Sequence, residues 1–267
     1  MATQPPANAL PIFYGDLEPL SSATHGNYKS RSSDKAPFLV GTHAVPITID
    51  EFISVQRFCP VIFSVGETSL PLALMGLNEG VNVFVDDEGK LLSNEFYVPA
   101  YVRRYPFLLA RLAPEAQELS LCFDPTSGLV GDFEEGTPLF EGEKPTEAVN
   151  NILKFCEEFE MSAQRTVQFM KELEDAGLIM DGEVSIQAPG AAEPIVYRGF
   201  RMVNEEKLRD LRGDELRKMN QNGMLALIFA HLFSMQLMRE IFAKQVDQGK
   251  GPAVAGFSGS GLAVGNA

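Results

Sequence analysis

The sequence predicts an α+β fold in which a small antiparallel β unit in the first half packs against long helices of the second half. Between residues 38 and 125, short segments rich in β-forming residues alternate with turn residues, which is typical of antiparallel strands. From residue 144 onward, apolar residues recur at spacings of three and four, which indicates amphipathic helices. Residues 224–238 are apolar nearly all round a helix, and this predicts a helix in the core or at a subunit interface.

Three regions follow one another along the chain. Residues 1–37 are rich in proline, serine and other turn-forming residues, and we expect an extended arm with little regular structure. Residues 38–245 form the α+β domain, whose β-rich part spans residues 38–125 and whose helix-rich part spans residues 144–245. The last region, residues 246–267, is rich in glycine, serine and alanine, and we expect a flexible tail.

Local patterns predict the individual elements of the domain. The segments predicted as strands are residues 43–48, 61–65, 70–74, 81–85, 119–123, 184–186 and 196–203. The segments predicted as helices are a helix capped by Thr48 or Asp50 and ending near residue 57, residues 146–176 as one helix or two helices in line, residues 205–211, and a final helix from residue 215 or 221 to residue 245. Pro46 has no backbone N–H, so the strand that contains it belongs at a sheet edge. The acidic residues 132–143 predict a solvated loop.

The composition limits the classes of partner that the protein binds. The chain has 267 residues, a formal net charge of −14 and an isoelectric point near 4.7. Such an acidic protein lacks the basic surface that general nucleic-acid binding requires, and anionic membranes repel it. We therefore expect no nucleic acid among its partners. Acidity by itself identifies no partner, and a protein or a peptide partner stays open.

The sequence predicts a cytoplasmic protein. Its N-terminus lacks the basic and apolar regions of a classical signal peptide. The apolar run at residues 224–238 includes His231 and is shorter than the roughly 20 residues that span a bilayer, so we expect no transmembrane segment. The three cysteines, Cys59, Cys122 and Cys156, are widely spaced in apolar surroundings, and we expect reduced, buried thiols, which suits a reducing compartment.

No motif in the sequence assigns a catalytic residue. The phosphate-binding loop GxxxxGK[ST], the nucleophile motif GxSxG and the zinc motif HExxH are all absent. The histidines, His25, His43 and His231, are scattered, so they predict no local metal site, and no cofactor is predicted. His231 lies among apolar residues, which favours a core imidazole hydrogen-bonded to the backbone over a histidine that faces a cleft. A metal site assembled from His43, His231 and a distant acid stays open from the sequence.

Residues 96–107, Phe-Tyr-Val-Pro-Ala-Tyr-Val-Arg-Arg-Tyr-Pro-Phe, combine backbone constraint with recognition chemistry. Pro99 and Pro106 fix their own φ and restrict the residues before them, so at most a short helix fits between them, with Pro99 near its first position. In such a helix the three tyrosines lie along one side, and the two arginines point in directions about 100° apart. The candidate binding residues are Tyr97, Tyr101, Arg103, Arg104 and Tyr105, with His43 and His231 as further candidates.

Two interpretations of this stretch are open from the sequence. In the first it is a rigid connector, whose tyrosines lie half in the core and whose arginines pair with acidic residues of the same chain. In the second it is a recognition surface, because tyrosine and arginine are enriched in binding sites. In the second case we expect a variant with both Arg103→Ala and Arg104→Ala to keep its fold and lose binding.

Several short blocks make the chain similar to a bacterial family. They are His43-Ala-Val-Pro, Phe58-Cys-Pro-Val-Ile-Phe, Ala73-Leu-Met-Gly-Leu, Asn82-Val-Phe-Val-Asp, Ala230-His-Leu-Phe-Ser and, most specifically, Tyr97-Val-Pro-Ala-Tyr-Val-Arg-Arg-Tyr-Pro-Phe. With these blocks the chain resembles the SapC family over about residues 38–245. The family name refers to an association with surface-layer proteins. The resemblance carries no catalytic mechanism and no active-site residues with it.

The resemblance implies an accessory or binding protein that serves surface-layer or envelope proteins, with an association to the cell surface as a further implication. Whether the protein is an enzyme is open from the sequence. The main alternative is an enzyme that modifies a small molecule or a peptide, with His43, His231 and the two arginines in one cleft. A third interpretation is a homo-oligomer built on residues 224–238.

Overall fold

The computed structural model describes residues 10–66, 68–112, 118–187 and 193–251, so most of the predicted tail lies outside the described residues. The strands are β1 (Glu18–Pro19), β2 (Lys29–Ser30), β3 (Ala44–Pro46), β4 (Val61–Phe63), β5 (Pro71–Leu74), β6 (Phe107–Ala110), β7 (Ser120–Phe123), β8 (Val130–Gly131), β9 (Thr137–Pro138), β10 (Phe140–Glu141), β11 (Lys144–Pro145), β12 (Ile179–Ile186) and β13 (Ile195–Val203). The α-helices are α1 (Ser22–His25), α2 (Phe52–Val55), α3 (Ala100–Arg103), α4 (Glu147–Asp175), α5 (Glu205–Arg209), α6 (Gly213–Gln221), α7 (Met224–Ser234) and α8 (Leu237–Asp247).

Antiparallel sheets in the first half and helices in the second half confirm the predicted α+β class. The largest sheet has five strands in the order β12–β13–β4–β5–β3, and each neighbouring pair is antiparallel. β3 lies at one edge of this sheet, as its proline predicts. The two longest strands, β12 and β13, come from the second half of the chain and form a hairpin at the other edge.

The N-terminal segment has more regular structure than its composition indicates. β1 pairs with β7, and β2 lies between β8 and β9 in a second small sheet. β9 and β10 fall within the predicted solvated loop at residues 132–143. Because strand pairing with distant residues supplies the backbone hydrogen bonds here, the local sequence does not reveal it.

Helix α4 matches the predicted helix at residues 146–176 to within one residue at each end. Its buried side chains include Val149, Cys156, Phe169, Met170 and Leu173, which lie at helical spacing. Gly177, whose φ is +66°, ends the helix in the left-handed conformation. The N–H groups of Gly177 and Leu178 donate to carbonyl oxygens of the last turn. These carbonyl groups at the helix end therefore have hydrogen-bond partners.

Of the two starts predicted for the final helix, residue 221 agrees better than residue 215, because α7 and α8 together run from Met224 to Asp247 with only a two-residue break. Gly223, with a φ of +81° that favours glycine, separates α6 from α7, and residues 235–236 separate α7 from α8. By length and composition, Met224–Asp247 qualifies as a candidate membrane span, and 44% of its most apolar window is buried. A core helix of a soluble protein meets the same criterion, so the expected lack of a transmembrane segment stays a prediction.

The strand predicted at residues 81–85 is also wrong, and an isolated bridge forms there instead. Asn82 is fully buried; its Nδ2 donates to the carbonyl oxygen of Leu39, and its Oδ1 accepts from the N–H of Phe84. Such bonds between a side chain and the backbone compete with a strand ladder. The other predicted strands are confirmed as β3, β4, β5, β7, β12 and β13.

The main hydrophobic core lies between the five-stranded sheet and the helices α2, α4 and α7. Its fully buried side chains include Phe52, Phe63, Met75, Leu173 and Ile228. Burial of each such side chain stabilises the fold by about 1.5–3 kcal/mol relative to exposure. The three cysteines are free and buried, as predicted.

Candidate functional site: an arginine-lined cleft

A cleft of about 680 Å³ lies between three parts of the chain that are far apart in sequence. The stretch after β2 forms one wall, with residues 30–36. The segment around α3 forms a second wall, with residues 98 and 102–107, and α4 forms a third, with residues 151–156. The cleft therefore joins the predicted tyrosine- and arginine-rich stretch to the N-terminal segment and to the long helix.

The cleft is cationic, although the chain as a whole is acidic. Its lining has four arginine or lysine side chains and one carboxylate: Arg31, Lys35, Arg103 and Arg104, against Asp34. Lys35 is paired with Glu88. Arg31 packs over the ring of Phe133, 3.7 Å from its centre, and has no carboxylate within ion-pair distance in the described parts of the chain. Such a local surplus of positive charge attracts anions.

The short helix predicted in this stretch is α3, which begins directly after Pro99. Beneath its first turn lies Glu51, which is buried. Its Oε1 accepts hydrogen bonds from the N–H of Ala100 at 2.6 Å and from the hydroxyl of Tyr97 at 3.2 Å, and its Oε2 accepts one from the N–H of Thr48 at 2.9 Å. Glu51 is not among the candidates predicted from the sequence, although its spacing from Thr48 is the capping-box signal that identifies it.

Arg103 is exposed at the cleft and is held by neutral partners. Its Nε donates to the carbonyl oxygen of Val98 at 3.0 Å, and its Nη2 donates to the hydroxyl oxygen of Tyr97 at 3.2 Å. Its guanidinium also lies 5.2 Å from the ring centre of Phe155 on α4. Among the described residues no carboxylate is within ion-pair distance of Arg103. Its charge is therefore available to a ligand.

Arg104 is only 8% exposed and lies between two aromatic rings. Its guanidinium carbon is 4.4 Å from the ring centre of Tyr101 and 4.2 Å from that of Phe159. Its Nη1 donates to Oε1 of Glu160 over a long 3.4 Å, and within the described chain its buried Nε has no hydrogen-bond partner. Arg104 thus fits the connector interpretation, whereas the exposed Arg103 fits the recognition interpretation.

Burial sets the protonation of the groups around Arg104. Burial raises the pKa of Glu160, and the charge and hydrogen bond of Arg104 lower it by less, so the pKa is raised overall. Burial also raises the pKa of the Cys156 thiol to about 11, against the opposing charge of Arg104. Because the thiolate is the reactive form, Cys156 is not an activated nucleophile at neutral pH.

The three tyrosines do not form one continuous surface. Tyr101 is buried, and its hydroxyl donates to the carbonyl oxygen of Ile12 at 3.3 Å. Tyr105 is half-buried in the cleft lining, and its hydroxyl donates to Oδ2 of Asp124 at 3.3 Å. Tyr101 therefore fastens the N-terminal segment to the body, whereas Tyr97 links Glu51 to Arg103.

The two candidate histidines lie outside the lining of the cleft. His231 is fully buried, and its Nε2 accepts from the N–H of Val203 at 3.1 Å while its Nδ1 donates to the carbonyl oxygen of Val61 at 2.7 Å. The predicted core imidazole is confirmed. Burial lowers the pKa of His231 to about 4, although the bond to Val61 opposes this. His43 is half-buried, and its carbonyl oxygen accepts from the N–H groups of residues 75 and 76.

Within the described ranges, no group of three or more histidine, cysteine, aspartate or glutamate side chains is placed to hold a metal ion. The cleft is lined by guanidinium groups, hydroxyl groups and apolar side chains.

Comparison with known families gives one match. The sequence profile of the SapC family matches residues 20–241, which is more than half of the chain. The chain belongs to the SapC family. In this SapC-family protein the matched residues include all three walls of the cleft. No curated protein and no solved structure matches the chain.

Proposed function

We propose that this SapC-family protein is an accessory binding protein that receives an anionic group of a protein partner in its arginine-lined cleft. The observation that carries this proposal is Arg103, an exposed guanidinium without a carboxylate partner among the described residues, in a cleft with four cationic side chains and one acidic one. Guanidinium groups bind carboxylates through paired, charge-assisted hydrogen bonds.

The positions of the imidazole and thiol groups favour binding over catalysis. The enzyme alternative needs His43, His231 and the arginines in one cleft. His231 instead has both ring nitrogens bonded to the backbone, and neither histidine lines the cleft. The thiol that does line it, Cys156, is protonated at neutral pH.

The family name supports a partner among surface-layer or envelope proteins. An acidic chain with three free, buried thiols suits a cytoplasmic location, in which the protein meets such a partner before its export. We therefore place the proposed binding event in the cytoplasm, on the not yet exported form of the partner.

A pull-down from a lysate of the native cell tests this function. It compares the wild type with Arg103→Gln and with the matched control Arg209→Gln. Arg209 is also exposed, pairs with Glu205 on α5 and does not line the cleft. We expect both variants to melt like the wild type, and Arg103→Gln alone to lose a surface-layer or envelope protein.

Two results would contradict the proposal. A partner that Arg103→Gln retains to the wild-type extent, or that both variants lose equally, excludes recognition by this cleft. A small molecule that is retained by the wild type and chemically altered on incubation would instead support the enzyme alternative, because a cleft of this volume lies within the range of small-molecule sites, about 300–1,000 Å³.

A further inference from the structure

The cleft has two unlike sides. The stretch after β2 contributes hydroxyl groups and cations from residues 30–35, whereas α3 and α4 contribute the apolar side chains of Val102, Ile152 and Phe155. Arg103 lies on the apolar side, so cations flank the cleft from both directions. A ligand that satisfies both sides carries negative groups and apolar groups together.

The backbone on the polar side has unused hydrogen-bond donors. The N–H of Arg31 donates to the carbonyl oxygen of Leu129, and the N–H of Lys35 donates to the hydroxyl of Ser33. The N–H groups of Ser32 and Ser33, which lie between them and are exposed, bond no other described residue. An extended peptide laid along this stretch would supply carbonyl acceptors for them.

The distribution of charge distinguishes between a single anion and an anionic segment. A lone carboxylate or phosphate can be satisfied by one guanidinium, but here Arg31 and Arg103 both lack a carboxylate partner in the described chain, and they come from different walls. Several carboxylates spaced along one chain match this arrangement better.

On the basis of the proposed binding function, we infer that the cleft binds a short extended segment in which glutamates or aspartates alternate with apolar residues. Its carboxylates pair with Arg31 and Arg103, the two arginines of the lining that have no carboxylate partner in the described chain. Its apolar side chains pack on Ile152 and Phe155, and the unused N–H groups of the polar side bond its backbone.

Fluorescence polarisation with a defined probe tests this assignment. The probe is a fluorescein-labelled, end-blocked short peptide of alternating glutamate and leucine, and its control has glutamine in place of each glutamate. We expect the glutamate peptide to bind the full chain and the glutamine peptide to bind at least about tenfold more weakly. The affinity for the glutamate peptide should fall as salt is added, because salt screens exposed charges.

Matched double variants locate the site. We expect Arg31→Gln with Arg103→Gln to weaken binding of the glutamate peptide by about tenfold or more. The control, Arg198→Gln with Arg209→Gln, removes the same charge from exposed arginines outside the cleft, and we expect it to stay within about twofold of the wild type.

Each other outcome overturns the assignment in a distinguishable way. Equal binding of the two peptides shows that the cleft does not recognise carboxylates. Displacement of the probe by inorganic phosphate at millimolar or lower concentration assigns the cleft to phosphate-bearing ligands. If neither peptide binds while capture of a lysate protein still requires Arg103, the acidic segment is wrong and the proposed function stands. If neither peptide binds and capture is also independent of Arg103, both the acidic-segment assignment and the proposed function are wrong.

Discussion

Arg103 and Arg104 are neighbours in the chain but have opposite environments. Arg104 is almost completely buried between Tyr101 and Phe159 and faces Glu160, whereas Arg103 is exposed and is bonded to neutral oxygens. Arg104 therefore holds α3 against α4, whereas Arg103 has the exposure that the proposed binding role requires.

Truncation of Arg104 should destabilise the fold. Arg104→Ala leaves Glu160 without its cation in a partly buried position, and we expect a loss of about 2–3 kcal/mol in the free energy of unfolding, measured by urea denaturation. Arg103→Ala should change it by less than about 0.5 kcal/mol. The double alanine variant, which is expected to keep its fold, should therefore lose stability through Arg104→Ala.

A second substitution provides the control for this result. Adding Glu160→Gln to Arg104→Ala removes the buried negative charge, so the double variant should recover part of the lost stability. If Arg104→Ala has the same free energy of unfolding as the wild type, the pair of Arg104 and Glu160 does not stabilise the fold.

Glu51 should control the geometry of the cleft from beneath α3. Glu51→Ala removes the acceptor for Ala100 and Tyr97, and we expect a loss of about 3 kcal/mol in the free energy of unfolding. Tyr97→Phe removes only the hydroxyl that links Glu51 to Arg103, so it should weaken partner capture more than it lowers the melting temperature. Asp50→Ala, at the exposed neighbouring position, is the control. It should leave partner capture and the melting temperature near their wild-type values.

His231 should make the protein less stable in acid. Its pKa is about 4 in the folded state and about 6.5 in the unfolded state, so between these values the unfolded chain binds the extra proton. Stability is therefore complete above pH 6.5 and falls as the pH decreases towards 4, by about 3 kcal/mol in total.

Denaturation curves across this pH range check the prediction. We expect His231→Gln to be less stable at pH 7 but to have a flatter pH dependence of stability between pH 6.5 and pH 4. An unchanged slope in His231→Gln would assign the acid sensitivity to another group.

Asp124 should fasten the N-terminal segment to the body. Burial by itself would raise the pKa of Asp124, but hydrogen bonds from Thr126 and from the N–H groups of Gly15 and Asp16 outweigh it and lower the pKa. Its contribution to stability is thus present above the unfolded pKa and is lost as the pH falls through the lower folded value. At neutral pH, Asp124→Asn should speed hydrogen exchange at Gly15, whereas Asp16→Asn should not.

The sequence predicts those features that depend on neighbours along the chain. Helix α4 was predictable because its apolar spacing and the glycine at position 177 are local, and the burial of His231 followed from its apolar neighbours. The cleft was not predictable, because its walls come from residues 30–36, 98–107 and 151–156, which only the tertiary fold brings together. The different environments of Arg103 and Arg104 likewise depend on side chains of α4, about 55 residues away.

The strand wrongly predicted at residues 81–85 is a further case in which a distant contact, rather than the local sequence, determines the structure. Its alternating pattern is that of a strand, but the buried side chain of Asn82 bonds the carbonyl oxygen of Leu39, which is distant in sequence. The start of the final helix at residue 215 is wrong for a different reason, because Gly223 adopts a positive φ after the polar residues 220–222 and separates α6 from α7.

Photo-crosslinking in the native cell tests most directly whether the cleft is the binding site. A photoreactive amino acid replaces either Asn151, which is exposed at the cleft, or Phe233, which is exposed on α7 beside Phe229. We expect a cross-linked partner from position 151 that disappears when Arg103→Gln is added, and no cross-linked partner from position 233. A cross-link from position 233 alone, or one from position 151 that is unaffected by Arg103→Gln, would contradict this expectation.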